Sequence, residues 1–314
     1  MSRAFRIGID VGGTKIAGVA LDAQGSALAS RRMPTPRGSY EGTIAGIAAL
    51  VASIENEIGA EASVGVGIPG SLSPASGHVQ NANSTWLNGR PLDHDLSQRL
   101  DRPVRIANDA NCFALSEAVD GAGRGAGVVF GVILGTGCGG GLVVDGKLVN
   151  GPMGISGEWG HNPLPWAEAD ETPGPQCWCG RRGCIETWVS GPALSRDHQK
   201  VGGETLSAEA IVERAGSGNG EAQHTLDRHV SRLARALGGL MNIVDPDIIV
   251  LGGGLSQMGH LYDRLPGQIA AHVFADRPIV TLEPPHHGPA SGVRGAAWLW
   301  GAPHEEVRTD QPGF

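Results

Sequence analysis

The 314-residue chain is expected to fold as an α/β protein whose two related halves face one central cleft. Three observations predict this. Apolar strand-like runs and amphipathic helical patterns follow one another along the chain. A unit of strand, glycine–threonine turn and strand occupies residues 6–21 and recurs at 128–144. The length suffices for two domains with a sizeable core.

Phe5 to Val11 is an apolar strand ended by Gly12-Gly13-Thr14-Lys15, and Ile16 to Leu21 follows as a second strand. Asp22 to Gly25 makes the next turn. Ile44, Ile47, Val51, Ile54 and Ile58 recur every three or four residues and mark one face of a helix. Val64 to Ile68 is a buried strand that stops at Pro69-Gly70. Val104 to Ala107 is another, running into Asn108-Asp109, and a helix with Phe113, Leu115 and Val119 begins near Ala110. The pattern then restarts with Val128 to Leu134, the turn Gly135-Thr136-Gly137-Cys138-Gly139, and Gly140 to Val144. Asp145-Gly146 is a hairpin signal. Leu226, Val230, Leu233, Leu237, Leu240 and Val244 trace a long helix that Asp245-Pro246 stops. Ile248 to Leu251 is a strand ending in Gly252-Gly253-Gly254. A final helix is expected over Gly292 to Trp300, with a frayed polar tail after Gly301. Pro173 to Pro175, with the acids before them, are expected to form an exposed loop. The expected division is a small α/β domain over 1–118, completed by a C-terminal helix at 292–314, and a larger α/β domain over 119–291.

The composition excludes several classes. The formal net charge is −8 and no long basic block occurs, so nothing suggests a nucleic-acid footprint. No apolar run reaches the roughly 18 residues of a membrane span. Met1 to Arg6 leads into the first strand without a signal-peptide apolar region. An odd number of cysteines, 5, does not suggest a disulfide framework, and a cytoplasmic location is expected. The 50 glycines lie in turns beside apolar runs, which suits close ligand approach.

Asp10 ends a strand beside Gly12-Gly13-Thr14. Such turns form anion nests, and an acid there can hold Mg²⁺ through water. The turn is not a Walker loop. Its near-repeat at Gly135-Thr136-Gly137 and the third cluster at Gly252 to Gly254, with Gly253 and Gly254 the expected contacts, suit a nucleotide lying across a cleft. Lys15 can touch a phosphate or stand exposed. Asn108-Asp109 sits between a strand and a helix N-terminus, where a carboxylate can cap the helix or act as general base. His161 with Cys177, Cys179 and Cys184 offers the nitrogen and sulfur set of a tetrahedral zinc with no open position, which is the pattern of a structural site. Such a clip would fix Glu158 and Glu186 in space, ready for neighbouring hydroxyl groups; both can equally be solvated loop charges.

In combination these segments resemble the ROK sugar kinases. They are Asp10-Val-Gly-Gly-Thr-Lys15, Asn108-Asp-Ala-Asn111, Leu134-Gly-Thr-Gly137, Gly157-Glu-Trp-Gly-His161, the Cys177 to Glu186 stretch and Asp245-Pro-Asp247. The resemblance covers nearly the whole chain and implies an actin/hexokinase-like, ribonuclease H-like fold. It implies ATP with Mg²⁺ and a hexose as ligands, structural Zn²⁺ on His161 and the three cysteines, and a homodimer. It makes Asp109 the catalytic base. It places sugar contacts at Asn108, Asp109, Glu158, His161 and Glu186, and ATP phosphates at the two glycine turns. Gly70 and Asn83 join the expected sugar contacts. His161 would serve both metal and sugar, one ring nitrogen each. Asn81 to Gly89 and His161 to Trp166 resemble the fructokinase/mannokinase branch, so fructose is the expected substrate, with N-acetylglucosamine, mannose or glucose as alternatives. Trp86 and Trp166 could wall the sugar or pack in the core. The sugar-responsive repressors of the same fold carry an N-terminal helix-turn-helix, for which a first strand starting within seven residues leaves no room.

Overall fold

In the computed structural model, which describes residues 4–202 and 204–301, the two strand–turn–strand units open two five-stranded sheets of matching plan. The first contains β1 (Arg6–Val11), β2 (Lys15–Leu21), β3 (Ala27–Pro34), β4 (Ser63–Ile68) and β7 (Val104–Asn108) in the order β3-β2-β1-β4-β7. Between β4 and β7 lies a small hairpin of β5 (Ser71–Leu72) and β6 (Val79–Gln80). The second sheet contains β8 (Val128–Leu134), β9 (Cys138–Val144), β10 (Lys147–Leu148), β11 (Ile248–Gly252) and β12 (Leu282–Glu283) in the order β10-β9-β8-β11-β12. In each sheet the repeated unit is an antiparallel pair, β1 with β2 and β8 with β9. In each, a later strand pairs parallel on the other side, β4 on β1 and β11 on β8. The parallel pairing lines up strand ends, so Asp10, Ile68 and Asn108 end neighbouring strands.

The helices are α1 (Tyr40–Ile58), α2 (Leu92–Leu100), α3 (Asp109–Val119), α4 (Glu186–Val189), α5 (Gly191–Gly202), α6 (Ala208–Gly216), α7 (Gly220–Val244), α8 (His260–Ala270) and α9 (Ser291–Trp298). The isoleucine face of α1 is buried on the first sheet with Ile7, Val64 and Val66. The apolar face of α7 is buried with Val132, Ile249 and Leu251 of the second. A third cluster joins the halves: Val19 and Leu21, Phe113 and Leu115 of α3, Val129 and Val250, and Val293 and Trp298 of α9.

α9 reaches this place because glycines let backbones touch. A Cβ on Gly8 of β1 would overlap the Val293 carbonyl, and one on Gly65 of β4 the Ala296 carbonyl. A Cβ on Gly295 of α9 itself would overlap the Cys112 carbonyl of α3. Backbone cannot step aside as a flexible side chain can. Gly295→Ala is therefore expected to cost about 3 kcal/mol or more. Gly216→Ala, where a Cβ meets nothing within 4 Å, should be neutral or slightly stabilising. Urea unfolding of both variants checks this.

Several elements differ from expectation. The last helix ends at Trp298 rather than Trp300. The expected extension of that helix over 302–314 lies outside the described residues. β3 has no apolar alternation because most of its side chains are exposed. α2 buries only Leu92 and Leu96, and its signal is correspondingly weak. The acids before Pro173 are not all exposed. Glu171 is buried, bound by Arg232 Nε at 2.7 Å and by Arg235 Nη1 at 2.7 Å. Burial opposes its charge, but Arg235 and Arg232 outweigh that and bring the carboxyl down to about 2. The loop before the cysteines is thus tied to α7.

Candidate active site

Asn108 is the N-cap of α3. Its Oδ1 accepts from the Ala110 and Asn111 backbone N–H groups, and its Nδ2 donates to the Gly70 carbonyl at 3.1 Å. Gly70 has φ of 119°, and a Cβ there would meet Ala82 N at 2.8 Å, so the loop after β6 lies directly on it. Asn88 clamps that loop: its Oδ1 accepts from Ala82 N and its Nδ2 donates to Ala82 O, both at 2.9 Å. Asn83 stands exposed beside the clamp. Gly70, Asn83 and Asn108 are therefore brought together.

Asp109 follows in the first turn of α3, and its Oδ1 accepts from Ala110 N at 2.8 Å. Burial is the largest influence on its carboxyl. The Asp10 charge adds to it and the Ala110 N–H opposes it, with Glu158 adding further, and the result is a rise to about 6. Asp10 itself is raised by burial, partly offset by Lys15. Asp10 pairs with Gly67 and Gly67 with Ala107, two residues before Asp109, which brings the two acids to the same end of the sheet.

The first glycine turn is held by its carbonyls. Thr35 Oγ1 donates to Gly12 O at 2.7 Å and Arg37 Nε to Gly13 O at 2.8 Å. Gly13, Thr14 and Lys15 are exposed at its tip. In the second turn Gly135 O accepts from Gly191 N at 2.8 Å, and Thr136 is exposed between Gly135 and Gly137. Gly253, with φ of 79°, packs against the end of β8, where a Cβ would meet the Leu134 carbonyl carbon at 2.7 Å. Gly253 and Gly254 thus border the second turn.

Glu158 and His161 are carried by a short loop laid on β9. A Cβ on Gly157 would meet the Gly140 carbonyl carbon at 2.9 Å, and one on Gly160 would overlap the Cys138 carbonyl. Trp159 is the anchor between them, with Nε1 donating to Gly139 O at 2.9 Å and its ring edge-on to Phe130. Burial raises the Glu158 carboxyl, His161 pulls it down and Glu186 raises it again.

The clip closes as read. One ligand atom from each of His161, Cys177, Cys179 and Cys184 lies within 4.8 Å of the others. Cys179 Sγ is 3.6 Å from Cys184 Sγ, and Cys177 Sγ is 3.6 Å from His161 Nδ1. Zinc–sulfur bonds of about 2.3 Å in a tetrahedron put sulfurs about 3.8 Å apart, so the spacing fits zinc. Gly180 and Gly183, with φ of 88° and 70°, turn the backbone round the ligands. Glu186 starts α4 beside the clip. Its Oε2 accepts from Cys138 N at 3.0 Å and its Oε1 from Trp178 Nε1 at 2.8 Å. A Cβ on Gly137 would meet Glu186 Oε2 at 2.8 Å, so the second turn and this acid cannot be perturbed separately.

Sequence reasoning missed Trp159 as anchor, Glu171 as buried tether, Asn88 as loop clamp and Trp178 as a partner of Glu186. A tryptophan between two metal ligands was the visible signal for the last. Trp86 and Trp166 each make a directed contact within the fold, and Trp166 is also more than half exposed. Trp86 Nε1 donates to Thr43 Oγ1 of α1 at 3.1 Å, and Trp166 stacks on His272 at 5.3 Å.

The model of the ROK family matches residues 6–302. The N-acetyl-D-glucosamine kinase of Pectobacterium atrosepticum is 42% identical over 296 residues, which is 93% of this chain and 97% of that one. The ROK hexokinase of Thermus thermophilus superposes with a TM-score of 0.84 at 29% identity, covering 93% of this chain and 96% of that one. A ROK glucokinase from Streptomyces griseus, crystallised with glucose and AMPPNP, superposes at 0.77 with 30% identity, covering 94% and 98%. The two matched sheets are those of the actin/hexokinase-like fold. Motifs, sheet plan and a family model over nearly its full length agree, and the chain belongs to the ROK family.

Proposed function

We propose that this protein is an ATP-dependent sugar kinase that phosphorylates the 6-hydroxyl of N-acetylglucosamine. The kinase reading is carried by Asp109, a carboxyl raised to about 6 at the start of α3, with Asp10 and Glu158 close enough to act on it. A base titrating there is ionised at neutral pH yet still takes up a proton readily. In this reading Asp109 orients the sugar hydroxyl and accepts its proton as the new O–P bond to the γ-phosphorus forms and the bond from that phosphorus to the bridging oxygen breaks, releasing ADP. The turns at 12–14 and 135–137 hold ATP phosphates through backbone N–H groups, and Gly253-Gly254 lie on the nucleotide side. Asp10 is the acid that would hold Mg²⁺ through water, and the ion, when bound, neutralises phosphate charge. Glu158, His161 and Glu186 meet the sugar from the clip side, and Gly70, Asn83 and Asn108 from the other. Zinc on His161, Cys177, Cys179 and Cys184, when bound, keeps the clip in shape.

The expectation of fructose gives way to its alternative. The relative at 42% identity acts on N-acetyl-D-glucosamine. A panel of N-acetylglucosamine, fructose, mannose and glucose with Mg-ATP tests this. N-acetylglucosamine should lead in kcat/KM by about tenfold or more. A higher value for fructose would restore the first expectation.

A further inference from the structure

We infer that Trp178, between two ligands of the clip, is a positioning residue that sets Glu186 and His161 for the hexose; this rests on the kinase reading above. Trp178 is 68% exposed, so burial of apolar surface does not account for a tryptophan at this position. Its directed contacts do. Nε1 donates to Glu186 Oε1 at 2.8 Å, while the other oxygen of that carboxylate accepts from Cys138 N at 3.0 Å. Two donors on two oxygens fix the plane of a side chain that otherwise rotates freely. The substrate then does not have to order it on binding. The same indole stands edge-on to the His161 imidazole, centroids 4.9 Å apart at 87°.

The placement of the indole comes from the clip hairpin. Cys177 N donates to Arg181 O at 2.8 Å and Gly180 N to Cys177 O at 3.1 Å, closing a turn around Trp178. Trp178 thus passes the shape of the clip to two sugar-facing groups. Through Glu186 and the Cys138 N–H it also reaches the second glycine turn.

Trp178→Phe keeps a ring against His161 and removes the donor to Glu186; Trp178→Leu removes both contacts. Each variant is compared with Glu186→Gln by calorimetry of N-acetylglucosamine without ATP, by steady-state kinetics, and by zinc content and melting temperature. Losing a donor to a carboxylate should weaken hexose Kd and KM about five- to tenfold in the Phe variant, with kcat within about threefold. Trp178→Leu should weaken binding further, both should keep zinc, and ATP affinity should change less than hexose affinity. If Glu186→Gln weakens hexose binding while Trp178→Phe changes it less than about twofold, the role of Trp178 is overturned and the reading of the site stands. If neither affects hexose binding, Glu186 leaves the sugar site and both ideas fall. Loss of zinc from the Phe variant would also overturn the inference, making Trp178 part of the metal fold alone.

Discussion

Asp109→Asn is expected to lower kcat by about 10²–10⁴-fold with hexose and ATP affinities largely intact. The amide keeps the size of the side chain but cannot take the proton of the attacking hydroxyl. A variant retaining more than about a tenth of wild-type kcat would remove Asp109 from the role of base. The wild-type pH profile is a second check. Asp109 titrates at about 6, so kcat/KM should fall on the acid side through that value. Stability should move the other way. The folded carboxyl is raised above its unfolded value of 3.8, so its contribution is present below that value and lost as pH rises through about 6. Near pH 8 the buried ionised group therefore costs stability, by up to about 3 kcal/mol. Asp109→Asn should melt higher than the wild type near pH 8 and lose that margin near pH 4. A higher melting temperature with lost turnover separates this variant from a misfolded one.

Replacing Cys184 by Ser should release about one zinc per chain, since a closed four-ligand site does not hold the ion well with three. The loop folds around its metal, so a few kcal/mol should go with it and the melting temperature should drop by roughly 5–10 °C. The hexose KM should rise, because Glu158, His161 and Glu186 all depend on this segment, although Cys184 itself need not touch the sugar. ATP affinity should change less. The first glycine turn is held by Thr35 and Arg37, far from the clip in sequence. The second meets the clip segment through the bond from Cys138 N to Glu186 and the packing of Gly160 on Cys138, so it should feel the loss more than the first. Elemental analysis, thermal melting and calorimetry of each ligand make the test. An active wild type that contains no metal would end the zinc assignment, and zinc lost with hexose affinity unchanged would detach the clip from the substrate site.

Much of this site is written in short segments. Each glycine turn, the Asn108-Asp109 cap and the clip are runs of neighbouring residues whose chemistry is set by residue type and local backbone freedom. Glycines at Gly180 and Gly183 mark turns, and thiolates beside an imidazole mark zinc, wherever the rest of the chain lies. Strands such as Val64 to Ile68 and helices such as α1 carry their own apolar periodicity, so they too are legible. β3 was not, because an edge strand with exposed side chains has no such pattern. The choice of sugar was not legible either: in the sequence Trp86 and Trp166 could equally wall a sugar or pack, and in the fold Trp86 donates to Thr43 while Trp166, more than half exposed, stacks on His272.

By itself, then, the sequence determined the two repeated units, the order of the main elements, the acid at the end of β7 and the ligand set of the clip. Only the tertiary structure decided what those groups feel. Asp109 is raised because burial and the charge of Asp10, on another strand, act on it together. Glu186 is oriented by Cys138, 48 positions away, and Glu171 is buried by arginines more than 60 positions away. α9 closes on Gly8 and Gly65 after most of the chain has intervened. Burial, charge coupling and hydrogen bonds across such separations depend on which surfaces meet in space, and local periodicity carries no record of that meeting.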